Sequence, residues 1–151
     1  MTLVPNVLVT GPSADFESLA DLVEFSRENP DAIAYATSGV GNPQHLNGAL
    51  LEDIAQIQML HVPYKGAAEQ LSDVASGNVE MTFVSYAAAQ SFINSGKIKA
   101  LAVTSPERAS FAPDVPTLSE TPGLEAYALE NWFGLFGPAG IPDDILTSSP
   151  A

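Results

Sequence analysis

The sequence predicts an α/β fold, a mostly parallel sheet with helices on both faces. Short strand-type runs of apolar residues alternate with segments whose apolar residues recur at helical spacing. Turns bearing glycine or proline separate the two kinds of segment. Such alternation implies right-handed crossover connections, which lay helices against a sheet whose strands run largely one way. The 151 residues fit one domain, and 46% of them are hydrophobic, enough for a sizeable core.

The elements follow in order. The start, Met1 to Thr10, reads as a β-strand and not as a signal peptide, because it has no basic opening and no long apolar stretch. Its buried part is Val7-Leu8-Val9, ended by Gly11-Pro12. Ser13-Ala14-Asp15 is expected to start a helix with Phe16, Leu19, Leu22, Val23 and Phe25 on one face, stopped at Asn29-Pro30. Ile33 to Ala36 reads as the next strand, Thr37 to Gly41 as a glycine-bearing turn, and a second helix follows with Leu46, Ala49, Leu50 and Ile54 inward. Ile57 to Val62 is a third strand, Pro63 to Gly66 a turn, and Ala67 to Ala75 a third helix capped through Ser76-Gly77-Asn78. Val79 to Val84 is a fourth strand, Ala87 to Ile93 a helix, and Ile98 to Val103 a fifth strand. Pro106, Pro113, Pro116 and Pro122 then prevent long regular elements, and Asn131 to Phe136 reads as a last strand. Residues 1–142 are expected to form the single domain, with 143–151 a loose tail.

Charge narrows the function. There are 18 acidic residues against five basic ones, a net charge of −13. Nucleic acid as a partner is excluded by the shortage of clustered Lys and Arg, and an anionic membrane surface would repel the chain. The absence of cysteine removes disulfides, thiolate metal sites and cysteine nucleophiles. No His, Asp or Glu cluster has metal-ligand spacing, and no nucleotide-binding glycine motif occurs, so no metal or cofactor is expected.

In open α/β sheets, ligands bind beyond the carboxyl ends of the strands. Three turns lie there. In Tyr35-Ala-Thr-Ser-Gly-Val-Gly-Asn-Pro-Gln-His45, residues Thr37, Ser38, Gly39 and Gly41 let the backbone approach a ligand, and the following helix offers free N–H groups to an anion. In His61-Val-Pro-Tyr-Lys-Gly-Ala-Ala68, Gly66 and Ala67 open another helix, Tyr64 is placed to close over a small ligand, and Lys65 to attract an anion. The turn at Ser85 and Tyr86 leads a strand into a helix in the same way. Trp132, the only tryptophan, reads as a core or contact residue. A hydrolase reading rests on Ser38 and His45, seven positions apart, without a Gly-x-Ser-x-Gly elbow and without an orienting carboxylate in the pattern.

The same segments resemble the Bug-type substrate-binding proteins of tripartite tricarboxylate transporters. The resemblance lies in Tyr35-Ala-Thr-Ser-Gly-Val-Gly41, His61-Val-Pro-Tyr-Lys-Gly-Ala-Ala68, Gly96-Lys-Ile-Lys-Ala-Leu-Ala-Val-Thr-Ser105, Pro113-Asp-Val-Pro-Thr-Leu-Ser-Glu120 and Trp132-Phe-Gly-Leu-Phe-Gly-Pro-Ala-Gly140, and spans residues 3 to 142. It implies one lobe of a two-lobed periplasmic binding protein of type II that closes on a small organic carboxylate and works with membrane transporter subunits. It also implies a periplasmic location. Carried over, Thr37, Ser38, Gly39 and Gly41 correspond to the second lobe's carboxylate loop, and Tyr64, Lys65, Gly66 and Ala67 to its neighbouring loop. A whole member is roughly twice this length, so the resemblance places a first lobe before residue 1 and further helices after Pro142. Glu69 stands where the family often has proline, and a carboxylate there weakens an anion site. A lone lobe exposes its cleft face, which favours homo-oligomers. Three functions stay open: a carboxylate-binding lobe, a promiscuous esterase using Ser38 and His45 in an exposed or dimer-formed pocket, and a structural domain without a ligand.

Overall fold

The computed structural model describes residues 2–129, 131–133, 139–140 and 142. Its main sheet has five strands, β2 (Asn6–Thr10), β3 (Ala34–Thr37), β4 (Leu60–Pro63), β5 (Met81–Ser85) and β6 (Lys99–Val103), in the order β4-β3-β5-β2-β6. β3 pairs in parallel with β4 and β5, whereas β2 is antiparallel to both β5 and β6. Four strands thus share one direction and β2 alone opposes it. A second, two-stranded ladder joins β1 (Thr2–Val4) to β7 (Asn131–Phe133), with Leu3 opposite Trp132. The single strand expected over residues 1–10 is therefore two strands, divided at Pro5, which has no N–H to continue a ladder. Residues 134–136 of the expected last strand, the side chain of Trp132 and the tail 143–151 lie outside the described residues.

β2 is buried along its whole length, as its apolar triplet requires of a strand with a neighbour on each side. Its residues divide between two cores. Leu8 joins Tyr35, Met81, Phe83 and Leu101 beneath helices α1 (Leu19–Glu28) and α2 (Pro43–Ala55). Val7 and Val9 join Ala36, Val84 and Val103 beneath α3 (Ala67–Ser76) and α4 (Tyr86–Asn94). The sheet is thus sandwiched by two helix pairs.

Two helices differ from their sequence expectation. α1 starts at Leu19, not near Ser13, because Ser18 and Asp21 form a reciprocal capping box. From that start the inward face is Leu19, Leu22, Val23 and Ser26, and Phe25 is left 39% exposed beside Phe16. α2 turns Asn47, Gly48, Leu51 and Ala55 inward; Leu50 and Ile54 only flank the core, and Leu46 and Ala49 are exposed. Hydropathy misjudges this face because its first turn is held by shape and hydrogen bonding. Gly48 receives the Tyr35 ring, and the buried Tyr127 hydroxyl donates to the Asn47 side chain. α3 ends as expected, with Gly77 in the left-handed conformation.

After β6, a one-turn 3-10 helix (Leu118–Glu120) carries a second capping box between Thr117 and Glu120. The Arg108 guanidinium donates to both Glu120 oxygens, and this pairing holds the Glu120 carboxyl down at about 2. The segment is thereby pinned back over Val103, whose N–H donates to Pro116.

Candidate functional site

The carboxyl ends of β3, β4 and β5 lie at one end of the sheet, and the turns that follow them contain the residues singled out in the sequence. Thr37 closes β3. Its hydroxyl is fully buried, accepts the Gly39 N–H at 3.2 Å and lies 2.6 Å from Nε2 of His61. Thr37 therefore braces the loop from beneath, and Ser38 is the exposed hydroxyl. Gly39 and Gly41 have φ of +133° and +81°, angles that side chains disfavour, and open space surrounds both. Val40 between them is 79% exposed.

α2 begins directly after this loop. Asn42 is its cap, accepting the His45 N–H at 2.9 Å, and Pro43 occupies the first helical position. Two first-turn side chains then reach back. Gln44 Oε1 accepts the Ser38 N–H at 2.7 Å and the Ser38 hydroxyl at 2.8 Å. His45 Nδ1 accepts the Gly41 N–H at 3.0 Å. The Ser38 and His45 side chains considered for hydrolysis are thus directed to different partners. No Ser–His hydrogen bond joins them among the described residues.

The second loop is tied to the first, since the Tyr64 N–H donates to the Thr37 carbonyl at 2.7 Å. Tyr64 does not hang over the site. Its hydroxyl donates to Asp73 at 2.8 Å, and burial together with that bond pushes the phenol up to about 12. Lys65 is exposed, as are Ala67 and Ala68. Gly66 caps α3 with no side chain to contribute, so the first N–H groups of α3 have no side-chain cap, whereas at α2 Asn42 takes the His45 N–H. Ser85 caps α4 without a side-chain bond and lines an apolar hollow of about 370 Å³ with Val4, Pro5, Tyr86 and Phe111. A hollow of about 610 Å³ lies at the other end of the sheet around Thr10, Lys97 and Lys99, and no residue of the candidate loops lines it.

Two residues of the site escaped sequence reasoning, Gln44 and Gln70. Gln70 is fully buried on α3, donates to Ser38 Oγ at 2.9 Å, and exchanges hydrogen bonds with Gln44 at 3.1 Å in both directions. The available signal was periodicity. Gln70 falls on the same helical stripe as Leu71 and Val74, and a polar residue on an inward stripe needs a polar partner.

Beneath the loop, the His45 and His61 rings stack with centroids 4.4 Å apart, and the Tyr35 ring lies 5.2 Å from His61. Burial, then the neighbouring His45, lowers the His61 pKa. The folded state thus resists a proton that the unfolded chain accepts near pH about 6.5. The stability tied to His61 is complete above that pH and is lost as pH falls through it. His45, Tyr35 and Thr37 are the groups that face this ring. The expected outcome is a thermal midpoint that falls between about pH 7 and about pH 5, with a shallower fall in His61→Gln. Parallel pH profiles in the two proteins would contradict it.

Known proteins share this fold. The model of the tripartite tricarboxylate transporter family receptor, TctC, matches residues 1–149. The chain is 36% identical to the UPF0065 protein in the tcbD-tcbE intergenic region of a Pseudomonas species, over 95% of this chain and 43% of that protein. It is 31% identical to the protein BugT of Bordetella pertussis, over 95% of this chain and 44% of BugT. Among solved structures, a Rhodopseudomonas palustris protein with adipate superposes with a TM-score of 0.88 at 34% identity, covering 98% of this chain and 49% of that one. MatC of the same organism, with bound malate, gives 0.83 at 27% identity over 96% and 49%. The chain therefore spans less than half the length of these relatives. With the fold, the motif order and the family match in agreement, the chain belongs to the TctC family of solute-binding receptors of tripartite tricarboxylate transporters.

Proposed function

We propose that residues 1–142 are one lobe of a periplasmic receptor and that its loops at Ser38–Gly41 and Gly66–Ala67 bind one carboxylate of a small di- or tricarboxylic acid. The observation that carries this is the exposed Ser38 loop lying where the first turn of α2 meets the uncapped start of α3, joined there by Gln44 and Gln70. The positive ends of two helix dipoles, with backbone N–H groups, attract an anion without a cationic side chain. An acidic protein can therefore hold an acid. Relatives solved with adipate and malate point to the same ligand class.

One lobe offers half of a cleft, so affinity is weak, with Kd about 1 mM or above. The partners are the ligand, the membrane subunits of the transporter and a second surface that covers the cleft. Exposed Val40 and Leu46 beside the loop support that covering surface, either a second lobe or a second copy of this chain. Titration of adipate, malate and citrate, followed by amide chemical shifts, is the test. Saturable shifts confined to Ser38–Gly41 and Gly66–Ala68, reduced in Ser38→Ala, are expected, with light scattering reporting the mass of the same sample. Shifts that do not saturate, or that scatter over the surface, would overturn the assignment.

A further inference from the structure

We infer that Gln44 sets the specificity of the site by occupying, with its own carboxamide oxygen, the position of a ligand carboxylate oxygen. This rests on the proposed carboxylate binding. Four donors converge on Gln44 Oε1: the Ser38 N–H at 2.7 Å, the Ser38 hydroxyl at 2.8 Å, Gln70 Nε2 at 3.1 Å and Asn42 Nδ2 at 3.3 Å. An amide oxygen is neutral and has two lone pairs, so it satisfies such a set poorly. A carboxylate oxygen carries charge and accepts hydrogen bonds roughly twice as strong. The four donors at Oε1 suit an anion's oxygen, and a neutral amide oxygen fills the place, its Nε2 donating in turn to Gln70 Oε1.

The two glutamines differ in freedom. Gln70 is fully buried and its amide also donates to Ser38 Oγ, so it is a fixed donor. Gln44 lies half-buried on the first turn of α2, next to the exposed Ser38, and its leaving gives up the bond from its own amide to Gln70 Oε1 at 3.1 Å, which water then has to replace. Binding is thus an exchange, in which the ligand carboxylate takes the Ser38 N–H and the Gln70 amide as Gln44 leaves. Only a ligand with a full negative charge gains enough from the exchange. Neutral amides and esters of the same shape meet an equal competitor and are rejected.

The test compares the chain with Gln44→Ala and Gln44→Glu, using adipate and its diamide as probes. Gln44→Ala removes the competitor, and adipate is expected to bind between about twofold and tenfold tighter, the range of one displaced hydrogen bond. The same variant is expected to begin to bind the diamide. Gln44→Glu fills the position with a permanent carboxylate, so adipate binding is lost and the new carboxyl titrates well below the ordinary value of about 4.3. If the parent chain binds adipate and Gln44→Ala binds it equally or more weakly, the inference fails while the carboxylate site stands. Normal titration of the carboxyl introduced by Gln44→Glu also overturns the inference. If none of the three proteins binds adipate at the loop, the carboxylate site itself fails, and the inference with it.

Discussion

Gly48→Leu is expected to destabilise the protein by about 3 kcal/mol or more. A Cβ at position 48 would stand 2.3 Å from Cε2 of Tyr35 and 2.7 Å from Cζ, far inside van der Waals contact. Tyr35 is 1% exposed and sits in the core beneath α2, so its ring has nowhere to retreat. Replacing glycine inside a helix normally gains about 1 kcal/mol of helix propensity. The overlap outweighs that gain, and the thermal midpoint should fall by about 10 °C for a domain of this size. Function should follow stability, because α2 also carries Asn42, Gln44 and His45 to the loop. Lifting the helix off Tyr35 moves all three. Ala49→Leu, one residue along on the exposed side, is the control and should leave the midpoint nearly unchanged. Equal midpoints for Gly48→Leu and the parent chain would disprove the close packing of α2 on β3.

The second large effect is expected at Phe83. Its ring is fully buried in β5, directly opposite Leu8 of β2, under the α1 and α2 face. Phe83→Ala should cost about 4 kcal/mol through lost transfer energy and the cavity left behind. That is a large part of the roughly 5–15 kcal/mol that holds a typical domain together. Phe83→Leu keeps most of the volume and should cost less than about 1.5 kcal/mol. Chemical denaturation of both variants provides the measurement. A loss below about 1 kcal/mol for Phe83→Ala would mean that the ring is not packed as described.

Much of the fold was legible in the sequence because strand and helix signals are local. The triplet at Val7 to Val9, the glycine turn after Thr37 and the stop at Gly77 each announce themselves within a few residues. The start of α1 differs from the expected one because Asp21, three residues after Ser18, completes a capping box there. The direction of β2 was hidden for a different reason. Its partners lie in β5 and β6, far along the chain, and its own residues are apolar on both faces whichever way it runs. At the site, the loops named from the sequence lie together at one end of the sheet. It did not separate the exposed Ser38 from the buried Thr37, nor anticipate that Tyr64 is committed to Asp73. Gln44 and Gln70 act through a contact between two helices, 26 positions apart, which no local pattern encodes.

The reversed strand between β5 and β6 also governs the order in which the protein can be made. β2 leaves the ribosome before any other strand of the main sheet, yet its two neighbours are the last to follow. Asn6, at its start, bonds to the Thr104 hydroxyl 98 positions later. During synthesis, β3, α2 and β4 can assemble from contacts close in sequence, while Val7, Leu8 and Val9 wait without a partner. The sheet closes only when Val103 has emerged, so the first strand of the main sheet waits for the last. Such non-local closure folds slowly and leaves an apolar strand open to wrong partners in the interval.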